Sequence, residues 1–337
     1  MNMENLIKEL SSSVGIGNIK KASEIVKKEL SKYAKVTDFG TLGVIGEINK
    51  GADRTLMLDA HIDEVGFVVT SVMADGFLKV ANVGGIDSRF LPALPVIIHG
   101  KKDVPAVFVS TPPHLLKDED TVKDVDAVFL DTGLGEKALE VISVGDFVTF
   151  SSDIQRLSGT RISGKSLDDR SAVACLIEVA SRVYDKELPL NIIFCLSEYE
   201  ELGTRGAKTA SFEIDCDQAI ALDVSFGDAP DVAASKCGKL GKGAMVGVSP
   251  VLDKKITNAL IDCAEKKNIP YQLEVMGGTT GTDADSISIA KSGVPCGLIS
   301  IPLRNMHTPN EVIDLKDTQS VCDILEAYIL SGGGNLD

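Results

Sequence analysis

Helix-like and strand-like patterns alternate along the second half of this chain, and this alternation strongly constrains its fold. After Gly164, stretches with apolar residues at helical spacing are followed in turn by short apolar runs. Such alternation is typical of an α/β sheet with helices on its faces. From Val69 to Gly164 the short apolar runs are instead separated by Gly, Pro and Asp, with no long helical stretch. We therefore predict an α/β fold with a mixed sheet flanked by helices, interrupted by an inserted small all-β domain.

The predicted boundaries assign residues 1–68 and 164–337 to the α/β domain and residues 69–163 to the inserted β-rich domain. Helical periodicity in the α/β part predicts helices over 4–13, 19–34, 168–185, 206–213, 252–268, 283–293 and 317–332. Apolar runs predict strands over 43–50, 54–70, 190–198, 218–226, 271–277 and 295–302.

Charge and cysteine usage disfavour several kinds of partner. The 337 residues carry a net charge of −15, which argues against nucleic acid and anionic membrane surfaces. No apolar run approaches the roughly 20 residues of a membrane-spanning helix, and the N-terminal sequence lacks the basic start and apolar core of a signal peptide. The seven cysteines are scattered without a C-x-x-C pair. We expect reduced thiols in a cytoplasmic protein.

Residues of the types that bind metals recur where predicted strands end. Ligand sites of open α/β sheets lie at the carboxyl ends of the strands, so these residues are expected to share one cleft. Two further carboxylates, Asp168 and Asp169, begin a predicted helix. The strand-end candidates are His61, Asp63, Glu200, Glu201, Asp223 and His307.

Each candidate taken alone also has a structural interpretation. A single histidine is often a surface or core residue, and Asp168 or Asp169 suits a helix N-cap. Asp223 suits a turn, and Glu200 with Glu201 suits a solvated loop. The case for a metal site rests on the recurrence of these residues at one predicted edge.

The ligand types narrow the choice of metal. Imidazole with carboxylates and no thiolate suits zinc, with cobalt or manganese as alternatives. If one Asp bridges two ions, each ion has three protein ligands and room for water.

Neighbouring side chains of an extended chain point in opposite directions, which bears on the pair Glu200 and Glu201. On that basis Glu201 is expected to bind metal while Glu200 faces the water as general base.

The chain resembles the glutamyl-aminopeptidase-like metallopeptidases, which include the tetrahedral aminopeptidases and some proteins labelled endoglucanases. The resemblance runs from near residue 5 to near residue 330. It is carried, in order along the chain, by the segments AHIDEVGF, GKSLDDRSA, EYEELGTRGA, ALDVSFGDAP, GGTTGTDAD and RNMHTPNEV.

The resemblance implies specific roles for the strand-end residues. His61, Asp168 and Asp223 match the ligands of one divalent ion. Asp168, Glu201 and His307 match those of a second, with Asp168 bridging the two. Glu200 matches the catalytic general base, and Asp63 matches the carboxylate that orients a ligand histidine.

The resemblance also implies a fold, a substrate and an assembly. The expected fold is a phosphorylase/hydrolase-like mixed sheet, and the inserted β-rich region corresponds to a dimerisation domain. Short peptides are the expected substrates, hydrolysed at the N-terminal residue. The expected homo-oligomer is built from dimers and reaches a tetrahedral dodecamer in many members.

The sequence departs from the family pattern beside the site. Tyr199 stands before the Glu pair where members often carry Gln, Asn305 replaces a common aromatic residue, and Asp285 replaces a small or amide residue. These changes leave the side-chain preference open. Arg304 and Lys239 are candidate partners for an acidic substrate side chain, whereas Asp285 would attract a basic one.

Two other classes of function remain as alternatives. A glycosidase would use paired carboxylates such as Glu200 and Asp223, about 5–10 Å apart. That interpretation leaves His61 and His307 without a role, and the chain contains no Trp to stack on a sugar. The second alternative is a metal-binding scaffold without catalysis.

Overall fold

A computed structural model of the protein describes residues 2–115 and 124–334. Met1, residues 116–123 and residues 335–337, which fall within the predicted domains, lie outside the described part. The α-helices of the described ranges are α1 (Met3–Ser11), α2 (Lys21–Leu30), α3 (Ala138–Val141), α4 (Leu167–Val183), α5 (Arg205–Glu213), α6 (Lys254–Lys267), α7 (Asp283–Ser288) and α8 (Leu315–Leu330).

The strands of the same ranges fall into a large mixed sheet, a closed barrel, a small three-stranded sheet and a short hairpin. In chain order they are β1 (Gly15–Ile16), β2 (Ile19–Lys20), β3 (Lys35–Asp38), β4 (Gly43–Ile48), β5 (Thr55–His61), β6 (Gly66–Val72), β7 (Leu78–Val83), β8 (Pro95–His99), β9 (Asp103–Phe108), β10 (Leu130–Asp131), β11 (Phe147–Phe150), β12 (Gln155–Arg156), β13 (Arg161–Gly164), β14 (Asn191–Ser197), β15 (Gln218–Phe226), β16 (Ala244–Val248), β17 (Tyr271–Val275), β18 (Cys296–Leu303) and β19 (Glu311–Asp314).

The large sheet has the strand order β17-β16-β18-β15-β5-β14-β4-β3. Its central strands β14, β5, β15 and β18 are parallel neighbours, while β4 and β16 pair antiparallel with this group. Helices α2, α4, α6 and α8 pack on one face, and α5 and α7 pack on the other. Strands buried on both faces give the near-continuous apolar runs seen in the sequence.

Several helices begin where the sequence supplies a capping side chain. Asp253 accepts hydrogen bonds from the first-turn amides of α6, Asp314 caps α8 in the same way, and Thr282 caps α7. These oxygens satisfy amides that have no partner within the helix. Helix α4 is different, because its N-cap residue Ser166 makes no side-chain hydrogen bond to the first turn.

Strands β6 to β11 close into a barrel in the order β10-β7-β6-β11-β8-β9. The barrel has an apolar core of its own, which includes Phe67, Phe108 and Phe150 packed edge to face. Strand β13 pairs with β12 and β19 outside the barrel. The chain thus leaves the large sheet after β5, builds the barrel and returns through β13 to α4.

The predicted fold class is confirmed, with one clear error in the strand assignment. The predicted strand over 218–226 coincides with β15. The predicted strand over 54–70 is wrong, because β5 belongs to the large sheet and β6 to the barrel. The acidic pair Asp63–Glu64 and Gly66 lie at the break between the two apolar strands, and this signal was not used in the prediction. Strands β3, β12, β13, β16 and β19 and the β1–β2 hairpin were not predicted from the sequence.

Within the described residues, no helix is both long and apolar enough to span a bilayer. All seven cysteines lie in these residues, and each is a free thiol there.

Candidate metal centre

The carboxyl ends of four parallel strands meet at one edge of the large sheet. His61 is the last residue of β5, Glu200 and Glu201 follow β14, and Asp223 lies near the end of β15. His307 follows β18, and Asp168 reaches the same edge from the start of α4. The folded chain therefore brings the sequence-predicted residues into one cluster.

Asp168 lies between the two histidines. Its Oδ1 is 3.1 Å from His61 Nε2, and its Oδ2 is 3.3 Å from His307 Nε2. Asp168 and Asp169 have non-helical backbone angles and are joined by a cis peptide bond. The N-cap interpretation of Asp168 is therefore wrong, because both of its oxygens face imidazole nitrogens.

One group of three ligand atoms comes from Asp168, Glu201 and His307. Their ligand atoms all lie within 4.8 Å of one another, and Glu201 Oε1 is 3.3 Å from His307 Nε2. His307 Nδ1 lies 2.6 Å from the carbonyl oxygen of Gly85 and donates to it. This bond fixes the ring so that Nε2 points into the cluster, as expected of a metal-binding imidazole.

A second group comes from His61, Asp169 and Asp223, whose ligand atoms also lie within 4.8 Å of one another. Both Asp169 oxygens are buried without a hydrogen-bond partner. A buried carboxylate without a partner is costly unless a cation or a proton compensates its charge. This group fits a divalent cation. Asp169 thus lies with His61 and Asp223 in this group, where the resemblance implied Asp168.

Asp63 lies beside His61 and beneath the glutamate pair. Its Oδ1 is 3.4 Å from His61 Nδ1, which is long for a hydrogen bond. The same carboxylate accepts the backbone N–H groups of Glu200 at 3.0 Å and Glu201 at 3.3 Å. Asp63 thus connects the predicted ligand histidine to the backbone of the predicted base.

The glutamate pair does not lie in an extended chain, so that part of the sequence argument was wrong. Strand β14 ends at Ser197, and the following residues form turns. Carboxylate oxygens of Glu200 and Glu201 both come within 4.8 Å of His61. The Glu201 side chain is only 6% exposed, which also contradicts the solvated-loop interpretation.

Burial and mutual repulsion shift the carboxyl groups of this cluster. Burial raises the pKa of Glu200 to about 8, and the nearby Asp283 and Glu201 carboxylates add to that rise. Burial also raises the pKa of Asp223 well above its usual range, with Asp168 adding to the effect. Without a metal, the site therefore favours protons on these groups.

The histidines respond to the same surplus of negative charge. Burial alone would lower the pKa of His307, but Asp168 and Glu201 raise it to about 11. Burial alone would raise the pKa of Asp168, but His307 and His61 hold it well below its usual range. Imidazolium ions thus supply, in the metal-free protein, the positive charge that bound cations would supply.

Glu311 is a supporting residue that the sequence analysis did not identify. Its Oε2 accepts the backbone N–H groups of Leu167 and Asp168 at 2.7 and 3.1 Å, and its Oε1 accepts that of His307 at 2.8 Å. Glu311 lies within the motif RNMHTPNEV, so its position was visible although its role was not. The Gly85 carbonyl had no sequence signal.

A mixed α/β sheet with carboxylate and imidazole groups clustered at its carboxyl edge defines the protein as a metal-dependent hydrolase of the phosphorylase/hydrolase-like type. Residues 43–324 match the family model described as M42 glutamyl aminopeptidase. The chain belongs to this family, and it is a metal-dependent aminopeptidase.

Relatives and solved structures agree over almost the whole chain. Lysyl aminopeptidase from Pyrococcus furiosus is 31% identical, over 96% of this chain and 96% of the relative. A TET aminopeptidase from a marine sediment Thaumarchaeota archaeon superposes with a TM-score of 0.93 at 28% identity, covering 99% of this chain and 96% of that one. The TET1 peptidase of Pyrococcus horikoshii, which can assemble into a tetrahedron or a large octahedral shell, gives 0.87 at 29% identity, covering 98% and 99%.

Proposed function

We propose that this aminopeptidase binds two divalent metal ions per subunit, with zinc favoured and cobalt or manganese as alternatives. The observation that carries the proposal is the position of Asp168, whose two oxygens face different imidazoles. Asp168 would be shared between the two ions. The proposed ligands are His61, Asp168 and Asp223 for one ion and Asp168, Glu201 and His307 for the other.

Glu200 is the proposed general base. When bound, the two cations supply Lewis acidity for the scissile carbonyl and the attacking water, and a coordination site for the free α-amino group. The Glu200 carboxylate accepts a proton from the water as its oxygen bonds to the carbonyl carbon. Glu200 then donates that proton to the leaving nitrogen as the C–N bond breaks.

Asp63 supports this chemistry without taking part in proton transfer. Its carboxylate holds the backbone of Glu200 and Glu201 and lies beside His61 Nδ1. We infer that it orients both the base and the ligand histidine. Short peptides with a free N-terminus are the proposed substrates.

The experiment that tests this function uses chelator-treated protein reconstituted with zinc, cobalt or manganese. Leucine p-nitroanilide should be hydrolysed only after metal is added, with two ions found per chain by elemental analysis. N-acetyl-leucine p-nitroanilide, the matched control without a free amine, should not react. Turnover after complete metal removal, or equal turnover of the acetylated compound, would contradict the proposal. Chelator-resistant cleavage of carbohydrate polymers would instead support the glycosidase alternative.

We also propose that residues 69–163 form a dimerisation domain inserted into the catalytic domain of residues 1–68 and 164–337. The separate apolar core of the barrel supports this division. A partner subunit would cover exposed apolar residues of this region such as Val144, which is 66% exposed, and Leu139, which is 55% exposed. Dimers would assemble further into a tetrahedral dodecamer, and we place the assembly in the cytoplasm.

A further inference from the structure

The loop that carries Glu200 is held from one side by the N-terminal hairpin. We call residues 198–204 the base loop and residues 15–20 the N-terminal hairpin. The Tyr199 hydroxyl donates a hydrogen bond of 2.9 Å to the carbonyl oxygen of Gly17. The Lys20 ammonium lies 4.3 Å from the centroid of the Tyr199 ring, at cation–π distance. The residue directly before the proposed base is therefore attached to the hairpin twice.

Glu198 makes a second connection to the same region. Its carboxylate is buried and contacts Lys20 Nζ at 2.9 Å, and the Ser23 hydroxyl donates to it at 2.5 Å. Lys20 thus contacts both Glu198 and Tyr199. The two residues preceding Glu200 have side chains that point away from the metal cluster and into this hairpin region.

The backbone at Tyr199 needs such contacts. Tyr199 has a φ of 63°, in the left-handed region that side chains with a β-carbon disfavour. Immediately after it, the Glu200 amide donates to Asp63 at 3.0 Å. Two restraints therefore determine the direction of the Glu200 side chain. One is the left-handed backbone of Tyr199, and the other is the hydrogen bond from the Glu200 amide to Asp63.

The hairpin itself is a fixed support. Gly15 exchanges two hydrogen bonds with Glu64, its amide with the side chain at 2.9 Å and its carbonyl with the backbone amide at 3.0 Å. Gly17 lies directly against the Phe147 ring of the barrel, so that a β-carbon there would come within 2.0 Å of the ring. The Gly17 carbonyl that accepts from Tyr199 is consequently held from two directions.

We propose that Tyr199 is a positioning residue, whose hydroxyl bond to Gly17 holds the Glu200 carboxylate in its reactive direction. This inference rests on the proposed role of Glu200 as general base. Without the bond, Tyr199 can leave the left-handed conformation and Glu200 can turn within the cleft. Because a small displacement of a reacting group costs much of its contribution to rate, the main effect should fall on kcat.

The test compares metal-loaded wild type with Tyr199→Phe, which removes one hydroxyl and keeps the ring. We expect kcat to fall about tenfold, with KM within about twofold, the metal content unchanged and the melting temperature close to wild type. Tyr271→Phe is the matched control, because the Tyr271 hydroxyl donates to Glu265 at 3.0 Å on the edge strand β17. The control should retain wild-type kinetics. A kcat for Tyr199→Phe within twofold of wild type would overturn the proposal.

A double variant separates this inference from the proposed function. If Tyr199 acts through Glu200, adding Tyr199→Phe to Glu200→Gln should cause no further loss, since the base is already absent. A full tenfold additional loss would mean that Tyr199 acts elsewhere, and would overturn the inference alone. Near-normal activity of Glu200→Gln by itself would overturn the role of Glu200 instead.

Discussion

Asp168 and His307 donate their backbone N–H groups to opposite oxygens of one carboxylate, that of Glu311. The same two residues face each other through their side chains, with Asp168 Oδ2 3.3 Å from His307 Nε2. One buried carboxylate from β19 thus fixes the relative position of the start of α4 and the loop after β18. The two residues that we propose share one metal ion are thus also held together through their backbones.

Glu311→Gln should weaken metal binding although Glu311 is not a proposed ligand. The amide group places a donor where Glu311 accepts backbone N–H groups, so Asp168 or His307 must shift. Loss of such supporting contacts typically costs 10–100-fold in metal affinity. Competition with a chelator of known affinity measures the change. Glu265→Gln, at the protein surface, is the matched control and should bind metal as wild type does.

Glu200→Gln should abolish turnover while both metal ions stay bound. The amide nearly preserves the shape of the side chain but cannot accept a proton from water. General acid–base catalysis typically contributes 10²–10⁴-fold, and kcat should fall by about that factor. Steady-state kinetics and elemental analysis on the same sample decide the outcome. Loss of metal would indicate that Glu200 is a ligand and Glu201 the base.

The metal-free protein should become less stable as pH rises from 5 to 8. Burial raises the folded-state pKa of Glu200 from 4.5 to about 8, and carboxylate neighbours outweigh burial to raise that of His307 from 6.5 to about 11. In this window the folded state holds protons that the unfolded state has released, so the free energy of unfolding falls with pH. The lowered pKa of Asp168 acts with the opposite sign, but below pH 3.8.

Calorimetry of chelator-treated protein measures this dependence. We expect the melting temperature to fall by about 5 °C between pH 5 and pH 8. Saturating metal should reduce the change, because the cations replace the bound protons. A melting temperature that rises over this range in the metal-free protein would contradict the prediction.

Hydrolysis should not favour acidic N-terminal residues. Arg304, a candidate partner for an acidic side chain, already pairs with Asp228 at 2.8 Å. Asp285 is also engaged, because it accepts from the backbone of Thr280 and Gly281. The half-buried Glu274 is held by the hydroxyls of Ser225 and Ser300.

Glu274 therefore places a carboxylate near Asp223, because its partner Ser300 is the cross-strand neighbour of Asp223. We expect activity that is broad, with a preference for neutral residues such as Leu. The comparison of kcat/KM for Leu, Glu and Lys p-nitroanilides measures it, since a formed charge contact should shift the ratio about 10-fold or more. A Glu substrate preferred by that margin would reveal a basic pocket and refute the prediction.

The subunits should associate through the barrel. Analytical ultracentrifugation is expected to show dimers or a larger multiple, with a dodecamer favoured. Replacing the exposed Val144 with Asp should shift the population toward smaller species, because a charge in an apolar contact is costly. Val232→Asp, at an exposed site outside the barrel (Val232 is 41% exposed), is the control. A wild-type monomer across micromolar concentrations would exclude the proposed contact.

Sequence patterns were enough to predict the fold class and most residues of the proposed site. Parallel strands flanked by helices leave their carboxyl ends at one edge, so His61, Glu201, Asp223 and His307 were predicted to meet from strand periodicity alone. The signal is local, because each residue follows an apolar run that identifies its own strand.

Other features of the site depend on tertiary contacts that local sequence patterns do not encode. Both β5 and β6 are apolar, and nothing in their composition shows that β5 joins the large sheet while β6 joins the barrel. The Gly85 carbonyl bound to His307 and the Gly17 carbonyl bound to Tyr199 are backbone groups, identical at every residue and selected only by long-range packing. Glu311 and Asp169 have recognisable side chains, but their roles depend on which amides and charges lie nearby once the chain is folded. Contacts between residues far apart in sequence fix these features, and no local periodicity records them.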